Sequence, residues 1–353
     1  MPEDFTDHDS SWSTLHRCFK EKKIMKKFNL ALVGATGMVG RKVIEVLEER
    51  NLPIENFYAF ASARSAGKTI KFNGKKYTII ELNEQNVAAT PMDYAIFSAG
   101  GGTSKTYAPL FAKKGCVVID NSSQWRMDKD VPLVVPEVNA HALNGHKNII
   151  ANPNCSTIQA MVALSPLHKK YGIKRIVYST YQAVSGAGLE GWNDLENGVK
   201  GEPNKKFSKP IFGNVIPQID VFLENGYTKE EDKMICETKK ILEDDSLKIT
   251  ATTVRVPVYN GHSESINLEF NNPITLAGVL ESLHAAKGVV VIDDTKNMQF
   301  PTPIEISGKD EVFVGRIRLD DSVQNGLNLW CVADNIRKGA ATNAVQILEE
   351  FLK

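Results

Sequence analysis

At 353 residues the chain has room for about two domains of ~150 residues each, and 42% hydrophobic with 24% charged residues is a globular rather than a disordered or fibrous composition. Its 42 basic residues equal its 42 acidic ones, so no global field favours nucleic acid or an anionic membrane, and no apolar run approaches the ~20 residues of a membrane span. Five scattered cysteines show neither C-x-x-C nor Cys/His zinc spacing, which argues against a disulfide scaffold or a structural metal and for a reduced, cytoplasmic setting.

Residues 1–25 are polar, carry acids early and lack an apolar stretch, so they match neither a secretory nor a mitochondrial leader. They are expected to form a disordered extension, and His8, His16 and Cys18 have no usual metal-site spacing. The apolar strand Phe28–Val33 then runs straight into Gly34-Ala-Thr-Gly37-Met-Val-Gly40, after which Val39, Val43, Val46 and Leu47 recur at a helical period to about Arg50. Strands are predicted at 57–61, 76–80, 94–98 and 117–120, with a helix over 107–114. This alternation predicts an α/β unit, Rossmann-like with a mainly parallel sheet.

Past residue 150 the rhythm changes. A helix over 155–171, interrupted at Ser165-Pro166, leads into strands at 175–184, 249–257, 263–270, 312–319 and 327–333, with helices at about 228–242 and 274–286 between them. An α+β domain with a mixed, largely antiparallel sheet is expected over 152–334. The last helix, 335–352, is expected to return to the first domain, giving a dinucleotide-binding unit of 26–151 with 335–353.

Strand, glycine loop and helix together suit a pyrophosphate. Gly34 and Gly37 permit the tight turn, and the helix N-terminus offers free N–H donors. The spacing is G-x-x-G-x-x-G rather than G-x-G-x-x-G, a partial match. The second strand ends in Ser62-Ala-Arg64-Ser65 without the acid that would hold a ribose 2′-hydroxyl. An arginine flanked by serines suits a 2′-phosphate instead, so NADP is favoured over NAD.

Cys155, in Asn152-Pro-Asn154-Cys155-Ser-Thr157, sits between a strand and a helix. There the helix dipole is expected to lower the thiol pKa, and backbone N–H groups can serve an oxyanion. GATGMVG, DNSSQWRM, NPNCST, STYQAVSGAG, the Glu237-Thr-Lys-Lys240 stretch and RVPVYNGH occur in one order over about residues 26 to 353. Together they resemble the bacterial aspartate-semialdehyde dehydrogenase family.

That resemblance implies NADPH-dependent reduction of L-aspartyl 4-phosphate to L-aspartate 4-semialdehyde and phosphate, on the route to lysine, threonine and methionine. It implies Cys155 as the nucleophile that forms an acyl-thioester, His262 as general acid/base and Gln182 as the group orienting the acyl carbon. Arg255 and Glu237 resemble the residues holding the substrate carboxylate and amine, and Arg126, Asn154 and Lys240 the phosphate ligands. Thr36, Met38, Val39, Ser185, Gly186 and Asn335 join Gly34, Gly37, Ser62, Arg64 and Ser65 as cofactor contacts. The second domain would be the catalytic and dimerisation domain of a homodimer or homotetramer acting on small molecules.

Plainer readings stand beside these. His262 follows the turn signal Asn260-Gly261 and could be a surface histidine; if catalytic, it should give a pH limb near 6.5. Strict alternation would put Arg255 and His262 on opposite faces, although Pro257 and the Asn-Gly turn break that register. Glu237 and Lys240, three apart on a helix, could be an exposed ion pair, and Lys239 is as eligible as Lys240. The rival functions are a related reductase acting on N-acetylglutamyl phosphate and a non-catalytic NADP-binding redox sensor.

Overall fold

The structure, a computed structural model, describes residues 26–353; the expectations for residues 1–25 lie outside the described residues. Phe28–Val33 is buried along nearly its whole length, as a strand covered on both faces must be. Its sheet has six parallel strands in the spatial order Ile80–Glu81, Ile54–Ala61, Phe28–Val33, Tyr94–Phe97, Val117–Asp120, Ile149–Ala151. Strand order therefore reverses between Phe28–Val33 and Tyr94–Phe97, where such sheets open a ligand crevice at their carboxyl ends.

One predicted strand of this sheet divides differently. Lys75–Thr78 pairs with Thr69–Phe72 in a separate hairpin, and only Ile80–Glu81 reaches the sheet edge. The cause is Asn73-Gly74, whose φ values of 47° and 73° make the tight turn that joins two antiparallel strands. A further helix, Glu84–Ala89, is capped by the Asn83 side chain, and the helix expected from 107 begins at Gly101.

The second sheet runs Lys248–Arg255, Ile173–Gln182, His262–Phe270, Gly326–Ala333, Val312–Asp320, Val289–Val291. Its two outer pairs are parallel and its three inner pairs antiparallel. Cys155–Tyr171 packs against it and is not interrupted at Pro166; residues 156–165 are all buried, and that packing outweighs the backbone hydrogen bond a proline removes. The helix Lys229–Leu242 starts with a capping box between Thr228 and Glu231. Gly188–Val199 is also helical despite three glycines.

The predicted last helix begins as a π-helical turn, Arg337–Ala341, before the α-helix Thr342–Glu350. Ala344, Val345, Ile347 and Leu348 pack there with Leu30, Leu32, Val43 and Leu47 of the first sheet and its helix.

Candidate active site

A cleft of about 350 Å³ opens at the switch point of the first sheet, and Cys155, Asn154, Gln182, Arg126, Arg255 and Glu230 line it. Asn154 is the N-cap of the Cys155–Tyr171 helix: its side-chain oxygen accepts from the N–H groups of Ser156 at 3.0 Å and Thr157 at 3.3 Å. Cys155 therefore stands on the first turn. From the other side the π-helical turn presses Gly339 against it, so close that a Cβ there would lie 2.8 Å from the Cβ of Cys155.

The expected thiol pKa is corrected. Burial, and then the charge of Glu230, push the Cys155 thiol up to about 12, against the opposing pull of Arg255, Arg126 and the Ser156 N–H. A helix N-terminus is a partial charge, and here desolvation exceeds it. The cysteine therefore rests as a thiol at neutral pH.

Gln182 and Arg255 are direct partners on neighbouring parallel strands, so both side chains point into the cleft. Arg255 Nη1 donates to the Ala183 carbonyl at 2.6 Å, while its Nε is buried without a partner among the described residues. His262 shares this corner and is wholly buried, which removes the surface-histidine reading. The Ala183 N–H donates to His262 Nδ1 at 3.1 Å, so a neutral ring carries its proton on Nε2, which lacks a partner. Burial and the Arg255 charge hold His262 well below 6.5, so the expected limb near that value is also corrected. Gly186 packs against both residues: a Cβ there would fall 2.8 Å from Arg255 Nη1 and 3.1 Å from His262 Nε2.

The helix Lys229–Leu242 turns a different face to the cleft than the sequence suggested. Glu237 does not line it; its carboxylate accepts from Arg126 Nη1 at 3.0 Å and from the Asn154 N–H at 2.6 Å. Burial keeps Glu237 above its ordinary value despite Arg126. Lys240 does not line the cleft either, because its ammonium donates to the carbonyls of Arg126, Asp128 and Val131 at 2.7–2.8 Å. Lys239 bonds the Asp245 carbonyl.

Two residues that sequence reasoning passed over, Glu230 and Lys233, line the cleft instead. Glu230 accepts from the Asn154 amide at 2.8 Å and weakly from Gln182 at 3.4 Å. Burial pushes Glu230 up, but Lys233 and the Asn154 bond outweigh it and hold the carboxyl below its usual range. Arg126, also at the cleft, spends N–H groups on the carbonyls of Asn152 and Asn121 as well as on Glu237. The capping box Thr228-x-x-Glu231 marks the start of this helix, but Glu230 and Lys233 stand three apart on it just as Glu237 and Lys240 do, so the sequence holds no local signal that chooses between the pairs.

The cofactor candidates gather around the same opening. Gly34 has φ 85°, and a Cβ there would lie 2.2 Å from the Ser98 carbonyl oxygen, so the loop cannot carry a side chain. The helices Met38–Arg50 and Gly101–Lys113 both begin after glycines, Gly37 and Gly100, that give no side-chain cap. Their first-turn N–H groups are left for an anion, which fits a dinucleotide pyrophosphate. Thr36, Gly37 and Met38 form the loop and helix start, and Val39 lines the cleft. Ser62, Arg64 and Ser65 lie just beyond the carboxyl end of Ile54–Ala61, with Ser62 and Arg64 exposed. Ser185, Gly186 and Asn335 line the cleft, and the Asn335 amide donates to Ser185 Oγ at 3.0 Å.

Comparison with known proteins gives a consistent answer. Residues 29–146 match the family described as semialdehyde dehydrogenase, NAD binding domain, and residues 164–338 the semialdehyde dehydrogenase, dimerisation domain. The chain is 55% identical over 335 residues to the aspartate-semialdehyde dehydrogenase of Aquifex aeolicus, spanning 92% of this chain and 98% of that protein. It is 45% identical to the Bacillus subtilis protein of the same name, over 92% and 97%. Among solved structures, aspartate semialdehyde dehydrogenase II of Vibrio cholerae complexed with ASA superposes with a TM-score of 0.87 at 47% identity, over 92% and 98%. The Candida albicans enzyme with NADP superposes at 0.73 and 26% identity, over 92% and 98%.

Proposed function

The chain belongs to the aspartate-semialdehyde dehydrogenase family, and from that premise we propose that it reduces L-aspartyl 4-phosphate with NADPH to L-aspartate 4-semialdehyde and phosphate. The observation that carries this reading is the convergence of Cys155, Gln182, Arg255 and Glu230 on one cleft beside a dinucleotide-type glycine loop. Reduction of L-aspartyl 4-phosphate calls for a nucleophile and for partners to the α-carboxylate and the amine, and a thiol, a guanidinium and a carboxylate lining one cleft suit those tasks.

In the proposed reaction the Cys155 sulfur attacks the acyl carbon, the bond to the phosphate oxygen breaks, and the thiol proton leaves with the phosphate. The raised thiol pKa is consistent with attack that waits for substrate. Arg255 pairs with the α-carboxylate, whose bidentate geometry suits a guanidinium. Glu230 takes the ammonium group, while Arg126, Asn154 and Lys233 face the phosphate. Bound NADPH supplies the hydride that reduces the thioester. His262 donates a hydrogen bond from Nε2 to the carbonyl oxygen as charge builds there, which a neutral imidazole in a buried site can do; the C–S bond then breaks, the aldehyde leaves, and the sulfur takes up a proton to become the thiol again. Arg64, with Ser62 and Ser65, is proposed to select NADP through the 2′-phosphate.

A buried, ionised Glu230 favours a free ammonium group over the N-acetylated substrate of the rival reductase. Four groups arranged for chemistry, not one thiol, speak against a redox sensor. The match to a dimerisation domain supports a homodimer or homotetramer, and the pathway assignment points to the cytoplasm. The deciding experiment is phosphate-dependent oxidation of aspartate semialdehyde with NADP, with N-acetylglutamate semialdehyde as competitor. The aspartate compound should be preferred, and the reverse preference would overturn the substrate assignment.

A further inference from the structure

Glu264 is a buried ionisable group that the reaction above leaves without a task. It lies two residues beyond His262 on the strand His262–Phe270, on the same face, and is wholly buried. Thr180 stands directly across from it on one neighbouring strand and Cys331 on the other. Gln159, one turn along the helix from Cys155, covers this corner. Its amide nitrogen donates to the His262 carbonyl at 3.3 Å, and its backbone carbonyl accepts from the Cys331 thiol at 3.7 Å. Three acceptor atoms are left over: both carboxyl oxygens of Glu264 and the side-chain oxygen of Gln159, all buried without a partner among the described residues. Buried acceptors with no donor are costly, and a single proton on the carboxyl supplies one.

We propose that Glu264 works as a neutral carboxylic acid whose O–H donates to the Gln159 side-chain oxygen, making it a positioning residue that ties the helix of Cys155 to the strand of His262. Gln159 is then held at both ends of its amide, nitrogen to the His262 carbonyl and oxygen to Glu264. Rotation or sliding of the helix start against the strand breaks one of these bonds, so the pair fixes the separation of nucleophile and imidazole. The surroundings favour the proton, since burial and then the charge of Glu230 push Glu264 well above its ordinary value. Tyr178 and Cys331, on the flanking strands, also sense this carboxyl, and ionising it raises both of them.

The inference rests on Cys155 and His262 being the reacting pair, but the protonation of Glu264 can be read without any turnover. Infrared difference spectra of the full-length wild type against Glu264→Gln at neutral pH should show the C=O stretch of a protonated carboxyl in the wild type alone. In kinetics, Glu264→Gln keeps a donor and should hold the turnover number within about twofold, whereas Glu264→Leu should lower it by roughly tenfold or more with little change in KM. Raising the pH should reproduce the loss in the wild type as Glu264 ionises, and not in Glu264→Gln. Absence of the carboxyl band, or equal turnover in the Gln and Leu variants, overturns the proposal. If Glu264→Leu does not fold, the band and the pH profile of Glu264→Gln decide it. A Cys155→Ala enzyme that stays active would defeat the reading of the site while leaving the infrared result to stand or fall by itself.

Discussion

Asn154 and Glu230 are joined at 2.8 Å, amide nitrogen to carboxylate, while the other end of the same amide caps the helix that starts at Cys155. The position of the nucleophile and the position of the carboxylate facing it are thereby set by one side chain. Lys233 closes the arrangement, bonded to Glu230 at 3.2 Å and to Asp220 at 2.8 Å.

The two lysines of this helix should separate cleanly by mutation. Lys233→Ala should raise the KM for phosphate in the oxidative direction by about 10- to 100-fold, the equivalent of a charge-assisted contact worth roughly 1.5–3 kcal/mol. Lys240→Met should leave that KM within about threefold but lower the melting temperature, because three carbonyls, two of them partly buried, lose their donor. Steady-state kinetics and a thermal melt read both. A phosphate defect confined to the Lys240 variant would return the anion site to the original sequence assignment.

His262 should show itself by what the pH profile lacks. Burial and Arg255 depress its pKa, so the ring stays neutral through neutral pH and the wild-type turnover number should have no limb near 6.5. His262→Asn should still lower turnover by ~100- to 1,000-fold, the usual cost of disturbing a hydrogen-bond donor to a developing oxyanion. The sign for stability follows from the same shift. The folded pKa lies below the unfolded value of about 6.5, so the unfolded chain binds the extra proton as pH falls through that value, and stability drops toward acid. His262→Asn should flatten that part of the curve; an unchanged acid limb in chemical denaturation would argue against a buried neutral ring.

Arg64→Ala should weaken NADPH by about 10- to 100-fold and NADH far less, as expected when a charge-assisted bond to a 2′-phosphate is removed. Cofactor titrations by fluorescence decide this, and equal losses for the two cofactors would mean that Arg64 does not meet that group.

Gly339→Ala tests the contact that holds the nucleophile in place. The added Cβ meets the Cys155 Cβ at 2.8 Å, and neither is the end of a flexible side chain, so the helix start has to move. Turnover should fall at least about tenfold, in line with the sensitivity of oriented reactants to small displacements. The rate of Cys155 alkylation should change as well. A variant with wild-type turnover and alkylation would show that the π-helical turn is not a precise stop.

Much of the architecture could be read directly from the chain. Phe28–Val33 is apolar on both faces because it is buried on both, and the glycines after it mark a backbone that closes on Ser98. Asn73-Gly74 carries a hairpin signal that the strand prediction at 76–80 does not use, which puts Lys75–Thr78 in the wrong sheet. Local pattern could not decide the face of a helix. Glu237 does border the core stripe, and it is buried, yet it points to Arg126 rather than to the opening. Which of Glu230 and Glu237 meets the cleft depends on how Lys229–Leu242 lies across the Cys155–Tyr171 helix, a tertiary fact with no local signature. The thiol pKa failed for a similar reason: the helix end is visible in sequence, but the depth of its burial is not.

The last helix carries one more consequence. Leu30, Leu32 and Leu47, near the start of the described chain, share their core with Val345 and Leu348 near its end. During synthesis the first sheet therefore emerges long before the residues that cover one of its faces, and that face stays wet until the last helix follows. The nucleotide unit is begun before the second sheet and completed after it, so the second sheet can assemble ahead of it. A premature stop within the final helix would thus expose the oldest part of the molecule rather than the newest.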